Sequence, residues 1–210
     1  GMEKAIIVSH SFGGAIAASF ALHFPEKVAG LLFLAPATHP WPGGIDWYYK
    51  VTRMPFLGWW FSRLVAAPVG SLLLEKGVTS VFAPNPVPAG YIEHTNTFLA
   101  LRPDTFRSNA TDVANLFGYV KRVAPHYREI QAPTIIITGD SDGIVYAHIH
   151  SKQLHEDIAG SRLISLRNLG HKPDYVANDL SVAAIEVLAG KARDLDGIAK
   201  AVEARIAPRQ

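Results

Sequence analysis

A chain of 210 residues is long enough to bury the core of one domain, or of one domain with an inserted subdomain, and too short for two full ones. Twenty Lys and Arg against eighteen Asp and Glu leave a formal charge of +2, which gives no electrostatic reason to expect nucleic acid or an anionic membrane as partner and points to a small molecule. Without cysteine there are no disulfides, thiolate nucleophiles or cysteine-bound metals, and cytoplasm is only the default compartment.

No uninterrupted apolar run approaches the roughly 18 residues that cross a bilayer, so no membrane span is expected. The first four residues lack the basic-then-apolar order of a secretory signal, and Gly1 ahead of Met2 reads as a tag remnant, with Met2 as the start.

Ala5 to Val8 is short, apolar and β-branched without alternation, the pattern of a strand buried on both faces of a parallel sheet. It runs into Ser9-His10-Ser11. From Gly13 the spacing of Ala17, Phe20, Ala21 and Phe24 is helical up to Pro25, and a second strand follows from Val28 to Leu34. Two further strands, Thr134 to Thr138 and Arg162 to Leu166, flank a helix expected over Ala147 to Ile158. A helix over Pro173 to Ala189 and an amphipathic tail bearing Leu195, Ile198, Val202 and Ile206 complete the chain. The expected fold class is α/β, a parallel sheet of about four strands with flanking helices, built from residues 2–38 and 133–210.

Residues 39–132 show helical periodicity and no convincing strand, and are expected to form an inserted helical cap or lid. The three prolines within Ala83 to Gly90 make that stretch an irregular connection. Trp41, Trp47, Trp59 and Trp60 all lie in the first third of the cap, interleaved with Tyr48, Tyr49, Phe56 and Phe61. Such side chains make the core of a small helical cap, or a wall for an apolar acyl or aromatic group, and the two roles are compatible.

Three motifs carry chemistry. Ser9-His10-Ser11-Phe12-Gly13-Gly14 nearly matches the nucleophile elbow, a strained strand-to-helix turn that exposes a serine hydroxyl at the top of a sheet. Small residues are expected two before and two after the serine; Gly13 complies, and Ser9 stands where glycine is usual. Gly139-Asp140-Ser141-Asp142 follows an apolar strand, where a carboxylate can hold a histidine tautomer; Asp142 is the choice, with Asp140 nearer the strand as a turn-capping competitor. Asn168-Leu169-Gly170-His171 places a histidine in a loop after a strand, where it can take and return the serine proton. His148, His150 and His155 share a predicted helix without the i, i+4 pair of a zinc helix, which places them on a solvated face; no metal and no cofactor are expected. His10 is too close in sequence to swing onto Ser11, and His39 could line a pocket but has no acid nearby in sequence.

The order serine, acid, histidine, with separations of 131 and 29 residues and each member at the carboxyl end of a strand, is not readily supplied by chance. With Leu34-Ala35-Pro36-Ala37, Leu101-Arg102-Pro103-Asp104 and Pro133 to Asp142, it makes the chain resemble the α/β-hydrolase superfamily, in particular its capped serine esterase and lipase-like members. A serine at position 11 argues against the dehalogenase and epoxide hydrolase branches, which use aspartate there. The resemblance implies that Ser11 attacks an acyl carbonyl, His171 shuttles the proton, Asp142 orients His171, and the Phe12 N–H is one oxyanion donor. It also implies a small apolar acyl or aromatic substrate, with His39, Trp41 and Val145 as pocket candidates.

In that family the second oxyanion donor comes from a loop after the third strand, and the strands preceding the elbow find no counterpart in this sequence. Losing one donor costs about 100- to 1000-fold in turnover, so a catalytically weak or inactive interaction module is the alternative to an esterase or lipase-like enzyme. Ala5 to Val8 would then be an apolar sheet edge, expected to pair with a second copy into a homodimer unless Met2 is internal to a longer chain. Size-exclusion chromatography checks the pairing, and a monodisperse monomer would contradict it.

Overall fold

A computed structural model describes residues 2–44 and 47–208. Four strands, β1 (Ala5–His10), β2 (Val28–Leu34), β3 (Thr134–Gly139) and β4 (Arg162–Leu166), form one parallel sheet in the order β1-β2-β3-β4. Every residue of β3 is buried, and β2 is buried at all but one position, which is why both read as unbroken apolar runs. The period-two alternation of the strands sorts their side chains into two layers. Leu32, Leu34, Ile135, Ile137 and Leu166 pack against Leu180 and Ala184 of the helix Asn178–Leu188 and Val202 of the helix Leu195–Ile206. Leu31, Phe33 and Ile136 face α1 (Gly13–His23) together with Tyr127 and Leu154. Full burial of each Leu, Ile or Phe here contributes about 1.5–3 kcal/mol. Among the described residues β1 pairs only with β2, and Val8 is exposed.

Several expected elements change on folding. In α1 the contact face is alanine, with Ala15, Ala17, Ala18 and Ala21 buried, whereas Phe20 and Phe24 are exposed; a helix this close to the sheet has room only for methyl groups. The expected helix over Ala147 to Ile158 is confined to Ser151–Asp157. The segment before it is made of turns that carry the His150 ring into the interior, where it is 4 % exposed, so His148, His150 and His155 share neither a helix nor a solvated face. The helix expected over Pro173 to Ala189 breaks at Ala177 into Pro173–Val176 and Asn178–Leu188. Arg205 satisfies the break: its guanidinium donates to the Val176 carbonyl at 3.0 Å and pairs with Asp179 at 3.0 Å.

The described residues group into two compact units, one within Gly1–His39, Val81–Asn85 and Val120–Gln210, the other within Pro40–Ser80 and Pro86–Tyr119. Relative to the expected 39–132 insertion, the grouping differs in its middle as well as at its ends. Stretches 81–85 and 120–132 belong with the sheet because Phe82 and Tyr127 are fully buried there and Ile130 nearly so. The second unit has no strand among its described residues.

One continuous helix, Pro55–Phe82, has a mean hydropathy of 1.3 over its most apolar 18-residue window, enough by length and composition to cross a bilayer. Counting uninterrupted apolar residues missed it, because glycine, proline, serine and the charged Arg63, Glu75 and Lys76 interrupt the run while the average over the window stays apolar. Pro68 sits inside this helix and has no N–H to offer; the Ser62–Ala66 turn just before it is wound as a π-helix, a local widening that accommodates such a residue.

Candidate active site

β1 ends at His10, α1 begins at Gly13, and the residue between strand and helix that must turn the chain is Ser11, with φ +52°. A left-handed conformation is costly for a residue with a Cβ, of order 1–3 kcal/mol, and persists only where surrounding bonds impose it. Here the Ser11 N–H donates to the Leu34 carbonyl at 3.0 Å, while the Ser11 carbonyl accepts from the N–H groups of Gly14 and Ala37, each at 2.9 Å. The turn is thus stitched to the end of β2.

The tight approach in this turn lies one residue beyond the expected one. A Cβ on Gly13 would make an ordinary 3.6 Å contact with Ser9, but a Cβ on Gly14 would fall 2.5 Å from the Pro36 side chain. Gly14 is therefore what lets α1 start against the β2 loop.

Asp142 lies in the turn after β3 and is 4 % exposed. Its Oδ1 accepts the N–H groups of Ile144 and Val145, both at 2.9 Å, and its Oδ2 accepts from His171 Nδ1 at 2.7 Å. With Nδ1 protonated, His171 Nε2 is free to accept, and the Ser11 hydroxyl lies 2.8 Å from it. Asp140 instead takes the turn-capping role, accepting the Asn168 N–H and the Ser141 hydroxyl at 2.8 Å each. The three residues predicted from sequence are in hydrogen-bonding succession at the carboxyl ends of β1, β3 and β4. The Phe12 N–H lies at the N-cap of α1, among the first-turn donors that a helix leaves without intrahelical acceptors.

A family model described as alpha/beta hydrolase fold matches residues 1–173. The chain belongs to the alpha/beta hydrolase fold family. Among solved members, it superposes on 2-hydroxy-6-oxo-6-phenylhexa-2,4-dienoate hydrolase of Rhodococcus sp. strain RHA1 with a TM-score of 0.65, 17 % identity and coverage of 91 % of this chain and 66 % of that one. It superposes on the enol-lactonase of Burkholderia xenovorans LB400 with a TM-score of 0.61, 16 % identity and coverage of 90 % and 67 %. A segment of 43 residues is 54 % identical to homoserine O-acetyltransferase of Thermus thermophilus, covering 20 % of this chain and 11 % of that enzyme. The chain thus matches only a small part of this curated relative's length.

Other groups of this hydrolase-fold site were not legible as such. Asn85, 6 % exposed, clamps the histidine loop from both sides: its Oδ1 accepts the Gly170 N–H at 2.9 Å and its Nδ2 donates to the Asn168 carbonyl at 2.8 Å. The His171 N–H donates to the Val81 carbonyl at 3.3 Å. Gly139 and Gly170 make the close packing possible, since a Cβ on the first would run into the Leu169 carbonyl and one on the second into the Ala83 carbonyl. Asn85 sits 85 residues before Gly170, so nothing local in sequence announced the clamp.

His10 does not reach Ser11. Its Nε2 donates to the His171 carbonyl at 2.7 Å and its ring lies 4.8 Å from the His171 ring, so it braces the loop from the other flank. Burial lowers its pKa, against the opposing effect of its hydrogen bond to the His171 carbonyl.

The pocket candidates have definite partners. His39, nearly buried, finds its acid far along the chain, donating from Nε2 to Asp157 at 2.9 Å and packing edge-on to Tyr127; burial lowers its pKa, against that bond to Asp157. Val145 is buried and serves Asp142 through its N–H. Trp41 donates from Nε1 to the Gly44 carbonyl at 2.7 Å and packs edge-on to Phe117, within the second unit. Among the described residues no group of three or more His, Asp or Glu is arranged to hold a metal ion.

Proposed function

We propose that the chain is a serine hydrolase of the carboxylesterase or lipase-like kind, acting on apolar carboxylic esters through an acyl-enzyme on Ser11. The observation that carries this reading is the unbroken succession from Asp142 to His171 to Ser11, at 2.7 and 2.8 Å, with Ser11 held in the left-handed region at the strand-to-helix turn. In the first half-reaction Ser11 Oγ bonds to the acyl carbon while its proton passes to His171 Nε2. The negative charge on the carbonyl oxygen is met by the Phe12 N–H. Collapse breaks the ester C–O bond, and the alkoxide leaves with the proton from His171; water then repeats the sequence and releases the acid. Asp142 stabilises the imidazolium in both halves. The hydrolase and lactonase named above, both enzymes of this fold, support a hydrolytic assignment.

The 43-residue likeness to homoserine O-acetyltransferase favours a second reading, in which a substrate hydroxyl replaces water as acceptor of the acyl group. Incubation with an acetyl ester, with and without homoserine, separates the two by whether O-acetylhomoserine or only acetate forms.

A fluorophosphonate probe tests the shared chemistry. Covalent labelling is expected, and it should disappear in Ser11→Ala. Correctly folded protein that fails to label would instead leave the reading of a catalytically inactive interaction module.

A further inference from the structure

The aromatic residues of the second unit do not form the core that their number suggests. Trp47, Phe56 and Trp60 are exposed, Phe56 to 87 %. Along the helix Pro55–Phe82 the large apolar side chains Leu57, Trp60, Leu64, Val65, Leu72 and Leu73 form an exposed apolar stripe, with Leu64 65 % and Leu72 84 % exposed. In the first part of the helix the inward positions are small, whereas Val78 and Phe82 are buried toward its end. Ser62 is fully buried; a Cβ on Gly58 would run into the Thr52 carbonyl, and one on Gly70 would fall 2.8 Å from the Leu101 side chain. A helix packing against protein in water buries its large residues and exposes its small or polar ones. Its first part, with Gly58 and Ser62 buried and Leu57, Trp60 and Leu64 exposed, does the reverse, the arrangement that suits an apolar medium on the outer side.

We propose that this stripe, with the Trp47-to-Arg53 segment before it, docks the protein on an anionic lipid surface, the helix lying in the interface rather than crossing it. Charge favours a lipid over a second copy. From Trp47 to Leu74 there are three cations, Lys50, Arg53 and Arg63, and no Asp or Glu. Arg63 pairs with Asp104 and lies 4.2 Å over the Trp59 ring, whereas Lys50 and Arg53 are exposed. A copy seated on the same face across a twofold axis would bring those cations toward their own duplicates without a carboxylate in the segment to answer them. Lipid phosphates do answer them, and Trp and Tyr side chains suit the headgroup boundary. The near-neutral total charge conceals this local excess.

The helix end argues against a span. Phe82 is fully buried within the sheet unit, and the Val81 carbonyl accepts the His171 N–H, so this end is built into the hydrolase core. Glu75 and Lys76 are exposed one turn past Leu72. A helix with its apolar stripe on one side and charge near its end lies flat.

The test is flotation of the full chain with vesicles of phosphatidylcholine alone and of phosphatidylcholine with about a third phosphatidylglycerol. The chain should float with the anionic vesicles and less with the neutral ones. Leu64→Glu with Leu72→Glu should reduce the bound fraction at least about tenfold, and Lys50→Glu with Arg53→Glu should remove the preference for anionic lipid. All four positions are exposed, and circular dichroism checks that each variant keeps its fold. Docking is separate from the chemistry proposed above, so Ser11→Ala should float like the parent chain. Failure to float with either vesicle, or flotation unchanged in Leu64→Glu with Leu72→Glu, would overturn the proposal. So would a concentration-dependent dimer dissolved by that pair of substitutions in place of lipid binding, because the occupant would then be a second copy.

Discussion

Replacing Asp142 with asparagine is expected to lower kcat by about 10⁴-fold on any ester the chain hydrolyses, with little change in stability. The direction follows from how the carboxylate is held. Its Oδ1 takes the N–H groups of Ile144 and Val145, so an asparagine amide keeps its oxygen there and turns its NH2 toward His171. His171 Nδ1 can then only accept, which places the ring proton on Nε2, facing the Ser11 hydroxyl across 2.8 Å. Nε2 then donates to the hydroxyl instead of accepting from it, and no base remains to take the serine proton. Steady-state kinetics with matched denaturation curves check the outcome; a folded Asp142→Asn variant that keeps more than about a tenth of parental kcat would remove Asp142 from the mechanism.

The second large effect is on stability and centres on His150. Its buried Nδ1 accepts two backbone N–H groups, from Thr38 at 3.2 Å and from His39 at 3.1 Å, and so anchors the chain just after β2 to the turn that follows the acid loop. Desolvation lowers its pKa from the ordinary 6.5 to about 4; His39, His148 and His171 push in the same direction and Asp142 opposes them. The folded protein therefore holds this ring neutral where the unfolded chain protonates it. The stabilisation is complete above pH 6.5 and is lost as pH falls toward about 4, by on the order of 3 kcal/mol. His10 and His39, also shifted downward by burial, add to the same slope.

His150→Leu should cost about 2–4 kcal/mol at pH 7, since two buried N–H groups lose their acceptor, and should flatten part of the acid slope. His150→Gln, whose carbonyl can accept both, should recover much of the loss. Urea midpoints at pH 7 and pH 4.5 measure all three proteins. Equal pH slopes in the parent and the leucine variant would show that His150 is not the titrating group.

Local sequence carried the elements whose environment is uniform. β2 and β4 fall on the predicted residues, β2 because its apolar run is covered on both faces and β4 because its alternation of Ile164, Ser165 and Leu166 suits one buried face. The elbow was legible for a related reason: Ser11, Phe12, Gly13 and Gly14 are contiguous, and the turn is made by their own backbone. The choice of Asp142 over Asp140 depended on reach, which the position of each along the turn already suggested. Where a helix had two possible faces, sequence periodicity could not say which would be covered. Of the residues whose spacing marked α1, Ala17 and Ala21 are buried while Phe20 and the C-cap Phe24 are exposed. The aromatic-rich helix likewise turns Gly58 and Ser62 inward and its largest side chains outward.

Sequence by itself determined the family, the order of the four strands, and which serine, acid and histidine come into hydrogen-bonding succession, because each rests on residues adjacent in the chain or on a spacing that the strands impose. Only the tertiary structure decided what holds those groups in place: Asn85 and His10 on the histidine loop, His150 under the chain leaving β2, and Asp157 on His39. These partners lie 85, 161, 112 and 118 residues from the groups they hold. A hydrogen bond carries no sequence signature at such separations, since its geometry exists only after packing has brought the two segments together.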